Sequence, residues 1–339
     1  MSVVMIMSQD RIDQEHAMLN RLVVGLANDG NQVVRIVPPT PHDEPALHER
    51  AVSLAKRITT PMPVSMLLRN TRRDELIHAL EKIDITAIVA FGKDAEQVAR
   101  DLSKVYDAPV LQEVVSMQQA KRAKKSSHVW RWLSATHSLE QTITRRVGSD
   151  RSALVPLGAV PSHVTESVPT NANRCVSVLD AASNYRNTEK ILLALEKEQN
   201  VHVFLECTGK HQSKLTKQIQ TLHMQDRVTC MRDMASLRTL VTQSDVVVVP
   251  SKTMPMRTLL LEVMLASIPV IATEIPGFDL LIDEETALIA TDSWALPIER
   301  VLHDRATASK IAKNGATLVR EKYASASQIA AFEAAFTLI

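Results

Sequence analysis

The stretch LLLEVMLASIPVIATEIPGFDLLI, residues 259–282, packs an apolar helical segment, a short apolar strand and a Pro276-Gly277 turn into twenty-four letters. Its single helical carboxylate, Glu262, has no evident partner nearby. A helix running straight into a Val-Ile-Ala strand is the second half of a βαβ unit, and it predicts a parallel sheet. Upstream, DVVVVPS reads as the strand before that helix.

Outward from this stretch the same alternation covers the chain. SVVMIM is followed by a helix carrying Met18, Leu19, Leu22, Val23 and Leu26 at helical spacing, with Gly30 as a stop. QVVRIVPP, ITAIVAFG, APVLQEVVS, CVSVLD, VHVFLEC and RVTCM are further strands separated by amphipathic helices, and two closing helices are expected over about 297–336. PPTPHDEPALHE reads as a Pro-rich loop, and SQDRIDQEH as a loop after the first strand. Residues 159–174, AVPSHVTESVPTNANR, lack periodicity and read as an interdomain linker. The expected fold is α/β, with two tandem Rossmann-like doubly wound parallel-sheet domains and an interdomain cleft. The boundaries are 1–160, 174–320, and a terminal helix over 321–339 packing back toward the first domain. Ile329, Phe332 and Phe336 give that helix an apolar face in need of a surface.

The bulk numbers suit such a protein. The chain has 339 residues, 45% hydrophobic and 23% charged, with a net charge of +1, so no global field recruits nucleic acid. Cys175, Cys207 and Cys230 read as buried free thiols of a reducing compartment. The N-terminus lacks a basic leader and reads as a first strand, so a cytoplasmic protein is expected. Only 8 glycines occur, none closer than five residues to another, which excludes a Gly-rich phosphate loop.

Residues 245–282 resemble the nucleotide-sugar-binding segment of family 4 glycosyltransferases, which have the two-domain architecture called GT-B. LRTLVTQSDVVVVPS, MQDRVTCM, ALVPLGAV and SKIAKNGATLVREKYA extend the resemblance over the chain. It implies a retaining, hexosyltransferase-type transfer of sugar from a nucleotide-sugar donor to an acceptor, with polysaccharide and lipid-linked acceptors both open. It implies that Glu262 accepts hydrogen bonds from the donor ribose, a task that suits an acceptor-only carboxylate. Backbone N–H groups around Arg257, Thr258 and Leu259 would face the diphosphate, with Ser251 beside them. No Asp-x-Asp motif occurs, so no metal or cofactor is expected.

The family's catalytic positions read differently here. The sugar-facing acid falls at Met254, and the Gly-Phe-Gly that follows reads Pro255-Met256-Arg257. Of the two cations that neutralise the leaving diphosphate, one falls at Ala181 and the other at Arg186, with Lys190 one turn on as a possible substitute. SQDRIDQEH stands in place of a Gly-Gly loop and Val115 in place of a histidine. His16, His128 and His137 each suit a structural role better than catalysis. Two readings stand: a divergent glycosyltransferase, and a catalytically inactive relative acting as a nucleotide-binding scaffold or partner subunit. Separately, residues 119–132 hold five cations and two of the three tryptophans, a pattern compatible with peripheral contact at an anionic inner membrane face.

Overall fold

The computed structural model describes residues 1–39, 55–62, 65–125, 128–160 and 174–336. The Pro-rich loop and nearly all of the expected linker lie outside those residues. The chain divides into two compact units, Met1–Gly158 with Ser325–Ile339, and Ala159–Ala324.

The first unit holds a seven-stranded sheet: β1 (Ser2–Met7), β2 (Gln32–Val37), β3 (Lys56–Thr59), β4 (Ala87–Phe91), β5 (Val110–Val114), β6 (Val129–Ser134) and β7 (Ser152–Leu154). The order is β3-β2-β1-β4-β5-β6-β7 and every pairing is parallel. The chain order reverses between β1 and β4, which makes that the topological switch point. SVVMIM and AIVAF are buried almost without interruption, as strands covered on both faces must be.

Among the described residues five α-helices of this unit precede its closing one: α1 (Gln9–Asn28), α2 (Arg69–Leu80), α3 (Ala95–Tyr106), the four-residue α4 (Met117–Ala120) and α5 (His137–Val147), which follows β6. SQDRIDQEH is therefore helix and not loop, because Ser8 ends β1 and α1 starts at Gln9. Gly92 adopts φ +85° after β4, and a Cβ there would lie 1.9 Å from Ser8 Oγ. Only glycine fits that approach.

The second unit holds six parallel strands: β8 (Arg174–Val178), β9 (Val201–Glu206), β10 (Val228–Met231), β11 (Val246–Val249), β12 (Val270–Ala272) and β13 (Leu288–Ile289). Their order, β10-β9-β8-β11-β12-β13, repeats the first sheet's logic with the switch point between β8 and β11. Its helices are α6 (Tyr185–Glu196), α7 (Gln212–Thr221), α8 (Met234–Val241), α9 (Thr258–Leu265), α10 (Ala295–His303) and α11 (Arg305–Lys322). The last helix, α12 (Ser325–Phe336), belongs to the first unit.

The closing region is thus three helices rather than two. Asp304 makes the extra break, capping α11 by accepting from the N–H groups of Ala306 and Thr307, both at 3.1 Å. α12 seats Phe332 against Phe91, ring centroids 6.1 Å apart, and Ile329 against the bare Cα of Gly25 in α1. The cysteines also differ from expectation. All are free, but only Cys207 is buried, because Cys230 lies on the edge strand β10 and faces out.

Candidate functional site

The C-terminal ends of β8, β9 and β11 converge at the switch point of the second unit, where an open α/β sheet binds its ligand. Two asparagines stitch the loop after β8 to the end of β11. Asn184 and Asn187 both donate side-chain N–H to the Pro250 carbonyl, at 3.1 and 2.9 Å. Asn184 also caps α6, accepting from the Asn187 N–H, and Thr188 Oγ1 donates to the Ala181 carbonyl at 2.7 Å. The positive end of α6 is therefore fixed at the crevice.

Arg186 lies in the first turn of α6 and Lys190 one turn on; both are exposed, with no ion-pair partner among the described residues. They present two exposed cations on one helix face. Ser251 is buried at the end of the next strand and its hydroxyl donates to the Asp180 carboxylate.

Arg257 departs from its expected part. The sequence reading used only its backbone, whereas its side chain is 3% exposed and forked onto Glu206 at the end of β9. Nη1 donates to Oε1 at 2.7 Å and Nη2 to Oε2 at 2.8 Å. Glu206 Oε2 also accepts from the Asp180 N–H at 2.7 Å. Burial alone would raise the Glu206 carboxyl, but Arg257 and these hydrogen bonds outweigh it and hold it below the usual carboxylate range. Asp180 goes the other way, raised by burial against the pull of Ser183, Ser251 and Arg257. Its backbone is left-handed at φ +52°, an unfavourable setting for a side-chain-bearing residue and one that concentrates at functional sites.

Glu262 is not a lone acid. Arg238, projecting from α8, forms an ion pair with its Oε2 and also donates to Thr258 Oγ1 at 3.3 Å. The partner lies 24 residues upstream, so only the packing of α8 beside α9 reveals it. Thr258 and Leu259 open α9 and are each 1% exposed, and Arg257 at the cap position makes no side-chain cap. Met254 and Ala181, where the resemblance expects an acid and a cation, are 1% and 0% exposed. Met254 Sδ instead accepts from Arg257 Nη2 at 3.4 Å. Both positions are apolar and closed to solvent.

Residues 179–304 match the family described as Glycosyl transferases group 1. The match begins at the crevice loop and takes in Glu206, Arg257 and Glu262, so the glycosyltransferase resemblance read from the sequence holds. Solved structures extend the likeness to the whole chain. Sucrose-phosphate synthase from Thermosynechococcus elongatus superposes with TM-score 0.78 at 17% identity, covering 99% of this chain and 98% of that one. HepE of Anabaena, solved with UDP and glucose, gives TM-score 0.76 at 13% identity with 99% of both chains covered. WaaG, a glycosyltransferase involved in lipopolysaccharide biosynthesis, gives 0.69 at 15% identity with 98% of both covered. The fold is GT-B. No curated protein matches the chain in sequence.

At the switch point of the first unit, the start of α1 carries an ionic cluster. Arg11 of α1 donates Nε and Nη2 to the two oxygens of Glu113 at 2.8 and 2.6 Å, and its Nη1 lies 3.7 Å from Glu15. Val115 is buried, His16 contacts Asn20 within α1, and His137 pairs with Glu140 at 3.6 Å. In the basic stretch, Lys121, Arg122, Lys124 and Lys125 are exposed while Trp132 is buried in β6. No helix among the described residues is long and apolar enough to cross a membrane.

Proposed function

We propose that the protein is a nucleotide-sugar-dependent glycosyltransferase whose donor binds at the switch point of the second unit. The observation that carries this is the crevice inside the matched segment. That segment holds a fixed helix N-terminus after β8 with the cations Arg186 and Lys190 on it, and, on the helix after β11, a carboxylate braced by Arg238. In this reading Glu262 accepts the ribose hydroxyls, and Arg238 holds the carboxylate in place. Amides at the starts of α6 and α9, with Ser251, Thr258 and Leu259, receive the diphosphate. Arg186 and Lys190 neutralise the leaving group. Arg257 serves by locking Glu206 and the α9 start, not by touching the donor. The transfer is retaining and hexosyl, as the resemblance implies, needs no metal or cofactor, and delivers to a polysaccharide or lipid-linked acceptor in the cytoplasm or at the inner membrane face.

Calorimetry with UDP and UDP-glucose on the whole protein tests the donor site. Glu262→Ala is expected to weaken binding by about 1–3 kcal/mol, the loss of hydrogen bonds to a charged acceptor. Unchanged affinity in that variant retires the assignment.

A second reading is favoured by one observation: the positions of the expected acid and first cation, Met254 and Ala181, are closed into the core. A scaffold that binds nucleotide without turnover would look like this. Binding without product, under every acceptor tried, supports the scaffold; product formation lost in Arg186→Ala supports the enzyme.

A further inference from the structure

The basic stretch of 119–132 forms one wall of a cavity of about 570 Å³ in the first unit, which reaches Glu113, the partner of Arg11. Its floor is the face of β5 and β6, where Gln112 and Trp132 stand side by side in register. α3 makes the opposite wall with Glu96, Arg100 and Lys104, spaced by four residues along one helix stripe. In the connection from β5 to β6 the described helix, α4, is only four residues long.

Two features mark the cavity as a ligand site. Gln112 and Trp132 are 1% and 7% exposed, yet Gln112 Oε1 and the Trp132 indole N–H have no hydrogen-bond partner among the described residues. His128 Nε2, also lining the cavity, is in the same position. Buried polar atoms are nearly always bonded, and exceptions call for a ligand or another explanation. Above that polar floor stand Arg100, Lys104, Arg122 and Lys124, all exposed and none ion-paired among the described residues. Two acids share the lining: Glu113 is held by Arg11, and Glu96 faces Arg122 and Arg100, so the four cations stand in excess.

We propose that this cavity binds a phosphomonoester of a hydroxyl-bearing small molecule. The four cations take the dianionic phosphate, while the indole N–H and the Gln112 carbonyl bond the hydroxylated part on the floor. Its volume suits one small molecule and not a nucleic-acid strand. The phosphate can come from a soluble sugar phosphate or from a lipid headgroup. The inference is independent of the donor site, which lies in the other unit.

The test is equilibrium binding of glucose 6-phosphate to the whole protein, with glucose as neutral control. A parallel arm measures co-sedimentation with phosphatidylcholine vesicles with and without phosphatidic acid. We expect saturable binding of the sugar phosphate, of the phosphatidic acid vesicles, or of both, which names the source. The surface double variant Arg122→Gln, Lys124→Gln should lose affinity about tenfold or more. Trp132→Phe, which removes one N–H and little volume, should lose about three- to tenfold at unchanged ionic strength. Failure of both probes to bind overturns the proposal. So does binding that the double variant leaves intact, or that glucose matches.

Discussion

Removing the Arg257 guanidinium would strand Glu206, 4% exposed by its side chain, as an unpaired charge. Breaking a buried pair from one side costs about 3–5 kcal/mol, whereas replacing both partners by apolar residues is often neutral. Arg257→Met alone should therefore lower the urea midpoint sharply, and Glu206→Leu added to it should restore most of the loss. Acid titration reads the same pair. The folded Glu206 pKa lies below its ordinary 4.5, so the pair's contribution is complete above about that pH and is lost as pH falls through the lower folded value. Asp180 has the opposite sign: its raised pKa makes stability decline as pH rises upward from 3.8. An acid denaturation midpoint that does not move in Glu206→Gln would contradict the first assignment. At this scale the sequence showed where to look but not what was there. Glu262, Arg186 and Ser251 stand out in the sequence because a known pattern aligns them. Glu206 gave no signal, since its partner lies 51 residues away and the β9–Arg257 contact exists only after the sheet has formed.

The helix that carries Arg238 depends on its cap. Asp233 accepts from the Ser236 N–H at 2.7 Å, and the Ser236 hydroxyl, followed by that N–H, holds the Asp233 carboxyl below its ordinary range. Asp233→Ala should cost about 1 kcal/mol of stability, the usual worth of such a cap. Because α8 positions Arg238 and through it Glu262, the same change should weaken nucleotide binding slightly while leaving β11 and its neighbours intact. Circular dichroism with thermal melts checks the first effect and calorimetry the second; a loss of binding with no change in melting would place Asp233 in the site itself. Strands with continuous Val-Ile runs, such as 246–249, were legible because burial on both faces demands that composition. Two elements were not. The start of α1 was read as a loop, since SQDRIDQEH is polar and lacks the apolar periodicity that marks a helix. The break between α10 and α11 rests on one aspartate, too local a signal for a reading based on periodicity.

The chain passes through the second unit and returns to finish the first, so the last helix reports on a core it joins late. Phe332 is 1% exposed and sits between Phe91 and Phe336, the latter ring centroid 5.1 Å away. Phe332→Ala should destabilise the first unit by about 3–5 kcal/mol and leave the second nearly untouched. Hydrogen exchange should then show faster opening in β1 and β4 but not in β8 or β11. The double-wound plan of both halves was legible throughout, because it is written as a period in hydrophobicity; whether the molecule turns over its donor was not, because that depends on four or five side chains. Each preorganised charge-stabilising group lost commonly lowers the rate by about 100- to 1,000-fold. With Met254 and Ala181 in place of two such groups, wild-type transfer from UDP-sugars should be slow. Restoring them is not a matter of two substitutions, since both positions are packed and Met254 touches Arg257. Ala181→Arg with Met254→Glu should fold poorly, as two charges would enter the core. Met254→Glu alone should cost less than Ala181→Arg alone, because Arg257 Nη2 lies 3.4 Å from the Met254 sulfur and can meet the new carboxylate. Equal drops in melting temperature for the two single variants would mean that Arg257, already forked onto Glu206, has no bond left to give.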